Sequence, residues 1–207
     1  MNDYCVISSN CISGFWYRDV VGKEYEIPFI WSIVRLNDML TLIREFDTID
    51  FDNSVAVMSK GELKRNDGDE WVKVVVDGKI NVYFVHFKED KELDKEVKVG
   101  INVFSPDVLA YTEQTWKRRS SRIPYGKKRV WVFWDDAINT NVGLQEFISI
   151  SEDRKDELFV LFTPKTDKTS RENLIVLPIT DYNDVPKHAE DLKTALKKFE
   201  NGQSSIL

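Results

Sequence analysis

Short apolar runs alternate along the chain with stretches whose apolar residues recur at helical spacing. The runs YCVISS (4–9), IPFIWSIV (27–34), SVAVMS (54–59), RVWVFWDD (129–136), ELFVLFTPK (157–165) and NLIVLPI (173–179) are rich in β-branched and aromatic residues and predict strands. WVKVVVDGKINVYFVHF (71–87) reads as a hairpin, because Asp77-Gly78 between two β-rich arms is the pair that accepts the positive φ of a two-residue turn. Met39, Leu42, Ile43 and Phe46 fall on one face of a helix that Asn37 or Asp38 would cap. Ser105-Pro106 predicts the start of another helix, the serine capping free amides and the proline fitting the first turn, with its end near Ser121. In it Leu109, Trp116 and Ile123 mark a buried stripe. GLQEFISIS (143–151) and VPKHAEDLKTALKKFE (185–200) predict two more helices, the second amphipathic. The charged run KEDKELDKEVK (88–98) reads as a solvated loop or exposed helix.

Strands alternating with helices, several of them apolar throughout, predict an α/β fold: three layers, α/β/α, around a mixed, mainly parallel sheet to which the hairpin adds the antiparallel part. The length of 207 residues fits a single domain over 1–207. A formal net charge of -6 argues against nonspecific nucleic-acid binding, which needs a basic surface. No stretch approaches the roughly 20 apolar residues that span a bilayer. The start MNDYCVISS lacks the basic flank and apolar run of a signal peptide. Cys5 and Cys11 make no disulfide framework and have no partner at zinc-ligand spacing, so both are expected as reduced thiols in the cytoplasm.

In open α/β sheets ligands bind beyond the carboxyl ends of the strands, which makes strand exits the places to look. The first strand exits at Ser8, Ser9, Asn10 and Cys11, the hairpin at His86, the strand at 129 at Asp135 and Asp136, and the strand at 157 at Thr163, Pro164 and Lys165. Adjacent carboxylates repel, and a divalent cation relieves that repulsion. In nucleotide-sugar transferases a strand-terminal acidic pair holds such a metal against the diphosphate; a turn or helix cap uses aspartate just as readily. Arg119 borders the buried stripe of its helix and Arg122 follows Arg118 at i, i+4. Phosphate or carboxylate would pair with such cations, and a helix dipole would also favour them. His86 could serve as a base or as a hydrogen-bonded structural residue, and Cys11 as a nucleophile or a small buried side chain. Trp16, in the aromatic run Phe15-Trp16-Tyr17 after the polar exit, is a candidate to stack on a sugar or base. Hydrolase-elbow, P-loop and dinucleotide-binding glycine motifs are absent from the sequence.

VISSNCISG (6–14), YEIPFIW (25–31), INVYFVHF (80–87), TEQTWKRRSSRI (112–123) and ELFVLFTPK (157–165) together resemble, in that order, a family of bacterial and viral proteins. That family is catalogued as a domain of unknown function and labelled exopolysaccharide biosynthesis protein. Ser9 stands where the family has asparagine, and Ile12-Ser13 replaces Trp-Gly. The resemblance implies glycan assembly and a three-layer α/β fold, in the host-cell cytoplasm where a member is viral. The expectation is therefore a glycosyltransferase that binds a nucleotide-sugar donor and a glycan acceptor. Ser8, Ser9, Asn10, Cys11, Trp16, Arg119, Arg122 and Lys165 would bind substrate. Asp135 and Asp136 would hold Mg²⁺ or Mn²⁺, and His86 and Asp136 would act in catalysis. The alternatives are transfer of a phosphate or acyl group onto polysaccharide, and a noncatalytic carbohydrate-binding protein.

Overall fold

A computed structural model of the chain describes residues 4–22, 27–30, 32–60, 70–84, 106–135, 141–164, 170–171, 173–179 and 184–200. The charged run 88–98, Ser105, and the site candidates His86, Asp136 and Lys165 lie outside them. The contacts gather into two compact units where the length suggested one domain: Met1–Glu24 with Pro124–Leu207, and Tyr25–Ile123.

The α/β class is as expected, and the strands sort into two sheets. In the first unit β1 (Tyr4–Ser8), β6 (Lys128–Trp134), β7 (Leu158–Thr163) and β8 (Leu174–Pro178) form a four-stranded sheet in that order, every pair parallel. The hairpin does not join it. In the second unit β2 (Ser32–Val34), β5 (Ile80–Phe84), β4 (Glu70–Val76) and β3 (Ser54–Lys60) form an antiparallel sheet in the order β2-β5-β4-β3.

β1 and β7 are buried from end to end, and β6 and β8 over all but their outermost residues, because helices cover both faces. Phe133 and Phe159 point to one face and meet Phe147 of α4 (Asn141–Asp153), with ring centroids 5.3 and 5.5 Å apart. Trp134 and Phe162 point to the other, where His188 of α5 (Val185–Glu200) meets them edge-on at 5.0 and 5.4 Å. The short helix α1 (Ile12–Trp16), continued by a π-helical turn over Tyr17–Val21, packs against α5 and so shares its face. This unit is the three-layer α/β/α arrangement. At its open edge Tyr17 accepts a hydrogen bond from the Val6 N–H at 3.3 Å, which covers one outward donor of β1.

In the second unit α3 (Pro106–Ser120) packs on β3 and β4, and Trp116 meets Phe29 and Phe84 edge-on while its Nε1 donates to the Phe51 carbonyl at 2.8 Å. The buried stripe of α3 runs through Val108, Thr112, Trp116 and Ser120, with Leu109 at its half-buried border. Among the described residues of IPFIWSIV only Ser32–Val34 is strand. Pro28 has no N–H for a ladder, and Ile27–Ile30 turn instead, the Ser32 hydroxyl donating to the Phe29 carbonyl at 2.7 Å. Neither Asn37 nor Asp38 caps α2 (Leu36–Glu45); Arg35 holds that position in extended backbone. Asp38 Oδ1 accepts from the N–H and Nδ2 of Asn81, at 2.8 and 3.0 Å, fastening α2 to β5. Burial raises the Asp38 carboxyl above its ordinary value against the opposing effect of those two donors.

Asp77 and Gly78 both have positive φ, 52° and 64°, and the Lys79 N–H closes the turn on the Val76 carbonyl. No atom stands within 4 Å of a Cβ placed on Gly78, so a side chain there meets only backbone strain. Gly78→Ala is expected to cost about 1 kcal/mol in chemical denaturation, and Gly78→Asn clearly less; equal stability of all three would contradict the turn.

Candidate functional site

Strand β1 ends in a dense set of small polar groups because the chain must turn there and still satisfy its buried amides. Ser8 Oγ donates to the Asn10 carbonyl and accepts from the Ser13 N–H at 3.0 Å. Asn10 Oδ1 accepts from the Ile12 N–H at 3.1 Å, and the Cys11 carbonyl takes the N–H groups of Gly14 and Phe15. These bonds satisfy the first amides of α1, so part of the Ser-Ser-Asn-Cys signature is the chemistry of a tight strand-to-helix turn. Ser9 faces the neighbouring strand: its N–H donates to the Val132 carbonyl at 2.9 Å and its Oγ accepts from the Trp134 N–H at 3.0 Å.

Beside it β6 exits at Asp135, which is 5% exposed. Its N–H donates to the Phe162 carbonyl at 2.8 Å, and its Oδ2 accepts from the Thr163 hydroxyl at 2.7 Å. Thr163 in turn accepts the Ile179 N–H at 3.0 Å. One continuous rim thus runs across the four carboxyl ends, from Ser8 and Ser9 through Asp135 and Thr163 to Ile179. α1, which follows β1, lies on the α5 face, and α4, the next described helix after β6, lies on the opposite face. Adjacent parallel strands whose connections part to opposite faces open a crevice between their carboxyl ends.

Ser8, Ser9, Asn10, Cys11 and Asp135 are therefore brought together on the carboxyl rim of one sheet. Trp16 is not a surface platform: it is fully buried in α1, and the half-exposed aromatic of the run is Phe15, with the Arg18 guanidinium 4.8 Å above its ring. Arg119 and Arg122 belong to the second unit. Arg119 is buried in α3, and exposed Arg122 donates from Nε to the Arg118 carbonyl at 3.2 Å.

Two buried polar residues near this edge have no role on sequence pattern alone. Thr163 reads only as a strand exit, although a buried hydroxyl closing the apolar run Leu-Phe-Val-Leu-Phe needs a partner. His188 was masked by its amphipathic helix; it lies fully buried under Trp134 and Phe162, with Nδ1 3.4 Å from Asp191 Oδ2.

Asp135 is a carboxylate fixed by a neighbouring hydroxyl and could supply one ligand to a hard cation; Mg²⁺ is commonly held by one or two carboxylates completed by substrate phosphates. Among the described residues no group of three His, Cys, Asp or Glu side chains forms a protein-only metal cage.

The two cysteines differ sharply in environment. Burial pushes the Cys5 thiol from 9.0 to about 11, with a Tyr17 hydrogen bond opposing the rise; Cys11 is half-buried at the rim. A thiol whose ionisation is raised in the folded chain contributes stability that is intact below pH 9 and is lost as pH climbs through about 11. Iodoacetamide on the native chain at pH 8 is expected to alkylate Cys11 and leave Cys5 unmodified until denaturant is added, read by peptide mass spectrometry. Labelling of Cys5 first would contradict this arrangement.

No protein-family model matches the chain, and no curated protein matches it. What the rim does must be read from its own groups.

Proposed function

We propose that the chain is a glycosyltransferase of glycan biosynthesis that binds a nucleoside-diphosphate sugar at the carboxyl rim of its parallel sheet. The observation that carries this reading is Asp135: a buried carboxylate at the exit of β6, beside the β1 turn, held by a backbone bond to Phe162 and a side-chain bond from Thr163. Such a group has a fixed direction and sits where open α/β sheets take their ligands. The resemblance of five ordered stretches to exopolysaccharide biosynthesis proteins supports the same assignment.

In this reading Asp135, with Asp136 beside it in sequence, would hold Mg²⁺ or Mn²⁺. A bound cation supplies charge neutralisation to the departing diphosphate. The chain's own part is orientation. The Ser8–Cys11 turn offers a wall of small groups that lets a ligand approach the backbone, and the Asn10 amide and Cys11 thiol are its half-exposed polar groups. Ser9 sets the distance between the two exits by binding the Trp134 amide.

A second reading, a noncatalytic carbohydrate-binding protein, is favoured by one observation: the Ser8 and Ser9 hydroxyls and the side-chain Oδ1 of Asn10 already serve the backbone. Thermal melts with UDP, GDP, CDP and dTDP, each with Mn²⁺, separate the readings. The transferase reading expects at least one nucleotide to raise the melting temperature; a concentration of 100 times Kd would add about 2.7 kcal/mol. It also expects Asp135→Asn to abolish that gain while the variant stays folded. No gain from any nucleotide overturns it, and glycan binding in the same absence of nucleotide binding would establish the second reading.

A further inference from the structure

We infer that Thr163 is the positioning residue of the rim, the side chain that aims Asp135 at whatever binds there. The inference rests on reading Asp135 as the site's carboxylate, and it assigns a role to a residue of a different strand. Four observations carry it. Thr163 is 1% exposed and ends a strand whose other five side chains are apolar and buried. Valine has the same shape and the same preference for a strand, so packing alone gives no reason for a hydroxyl there. The hydroxyl's bond goes to the carboxylate of the next strand, Oγ1 to Oδ2 at 2.7 Å. The backbone of Thr163 is itself fixed, because its carbonyl takes the Ile179 N–H at 3.0 Å, while the Asp135 N–H donates to the carbonyl of the adjacent Phe162.

The result is a two-sided clamp on the end of β6. Ser9 from β1 holds the Trp134 amide, and Phe162–Thr163 from β7 hold the amide and one carboxylate oxygen of Asp135. An aspartate leaving a strand would otherwise sample several rotamers; here one oxygen is committed to a neutral donor, which fixes where the other points. Residues of this kind, one shell out from a cation, commonly set its affinity by about 10–100-fold.

The test compares the full chain with Thr163→Val and Thr163→Ser. Mn²⁺ binding in the presence of UDP, GDP, CDP or dTDP is followed by loss of the free-ion electron paramagnetic resonance signal. Melting temperature and circular dichroism are followed alongside. The wild type is expected to bind, Thr163→Ser to bind within about threefold of it, and Thr163→Val to bind at least about tenfold more weakly with its fold intact. Rescue by serine distinguishes the hydroxyl from general packing, since serine loses the methyl and keeps the donor. Thr163→Val binding as tightly as the wild type overturns this inference and leaves the transferase reading standing. A wild type that binds no Mn²⁺ with any of the four overturns both. If the valine variant does not fold, Thr163→Ala against Thr163→Ser is decided by the same two outcomes.

Discussion

A parallel sheet covered by helices on both faces has no surface left for chemistry except its ends. That constraint governs the first unit. Phe133 and Phe159 are sealed by Phe147, and Trp134 and Phe162 by His188, so the side chains of β6 from Val130 onward and those of β7 up to Phe162 are committed to packing. The backbone is committed as well, strand to strand, from Tyr4 to Thr163. Polar side chains can enter this layer only where the ladder stops. They do so in sequence across the carboxyl ends, and each is fastened to its neighbour rather than left to solvent.

The two ends of the sheet handle a buried carboxylate differently. At the amino end Glu157 accepts from Trp131 Nε1 at 2.5 Å and pairs with Arg129 and Arg154 at 3.1 and 3.2 Å. Nearby, the Asn173 amide donates to the carbonyls of Ser151, Arg154 and Glu157. A carboxylate surrounded in this way by cations and an indole is a fastening of β7 to β6, since removing one partner strands the rest. At the carboxyl end Asp135 takes a hydroxyl from Thr163. The first arrangement surrounds a carboxylate with cations and an indole; the second ties one carboxylate oxygen to the hydroxyl of the adjoining strand.

Most of the architecture was legible because its signals are local. Pro106 begins α3, the period of 185–200 spans α5, and Asp77-Gly78 turns the hairpin. The departures occur where tertiary partners outrank local preference. Asp38 carries a cap signal, yet the two donors of Asn81, 43 positions away, claim its carboxylate. IPFIW has the composition of a strand, yet Pro28 interrupts the ladder and its buried apolar residues line a turn. The separation into two sheets was hidden because nothing in the hairpin's own pattern states which strands it pairs with. At the site the strand-exit rule located the serines and Asp135. It named Thr163 as an exit as well but assigned it no role, because a threonine at a strand end is common and only its buried bond to the next strand marks it.

The central claim is that the carboxyl rim of the parallel sheet is where this protein takes its ligand. The most direct measurement is residue-resolved amide NMR of the full chain as Mg²⁺ and a nucleoside diphosphate are added together. The expected result is that shifts concentrate on the amides of Ser9–Ser13, Trp134, Asp135 and Thr163, with the amino-end amides of Arg129, Glu157 and Asn173 unmoved. Shifts that spare the rim and gather at the amino end of the sheet, or no shifts with any nucleoside diphosphate, would contradict it.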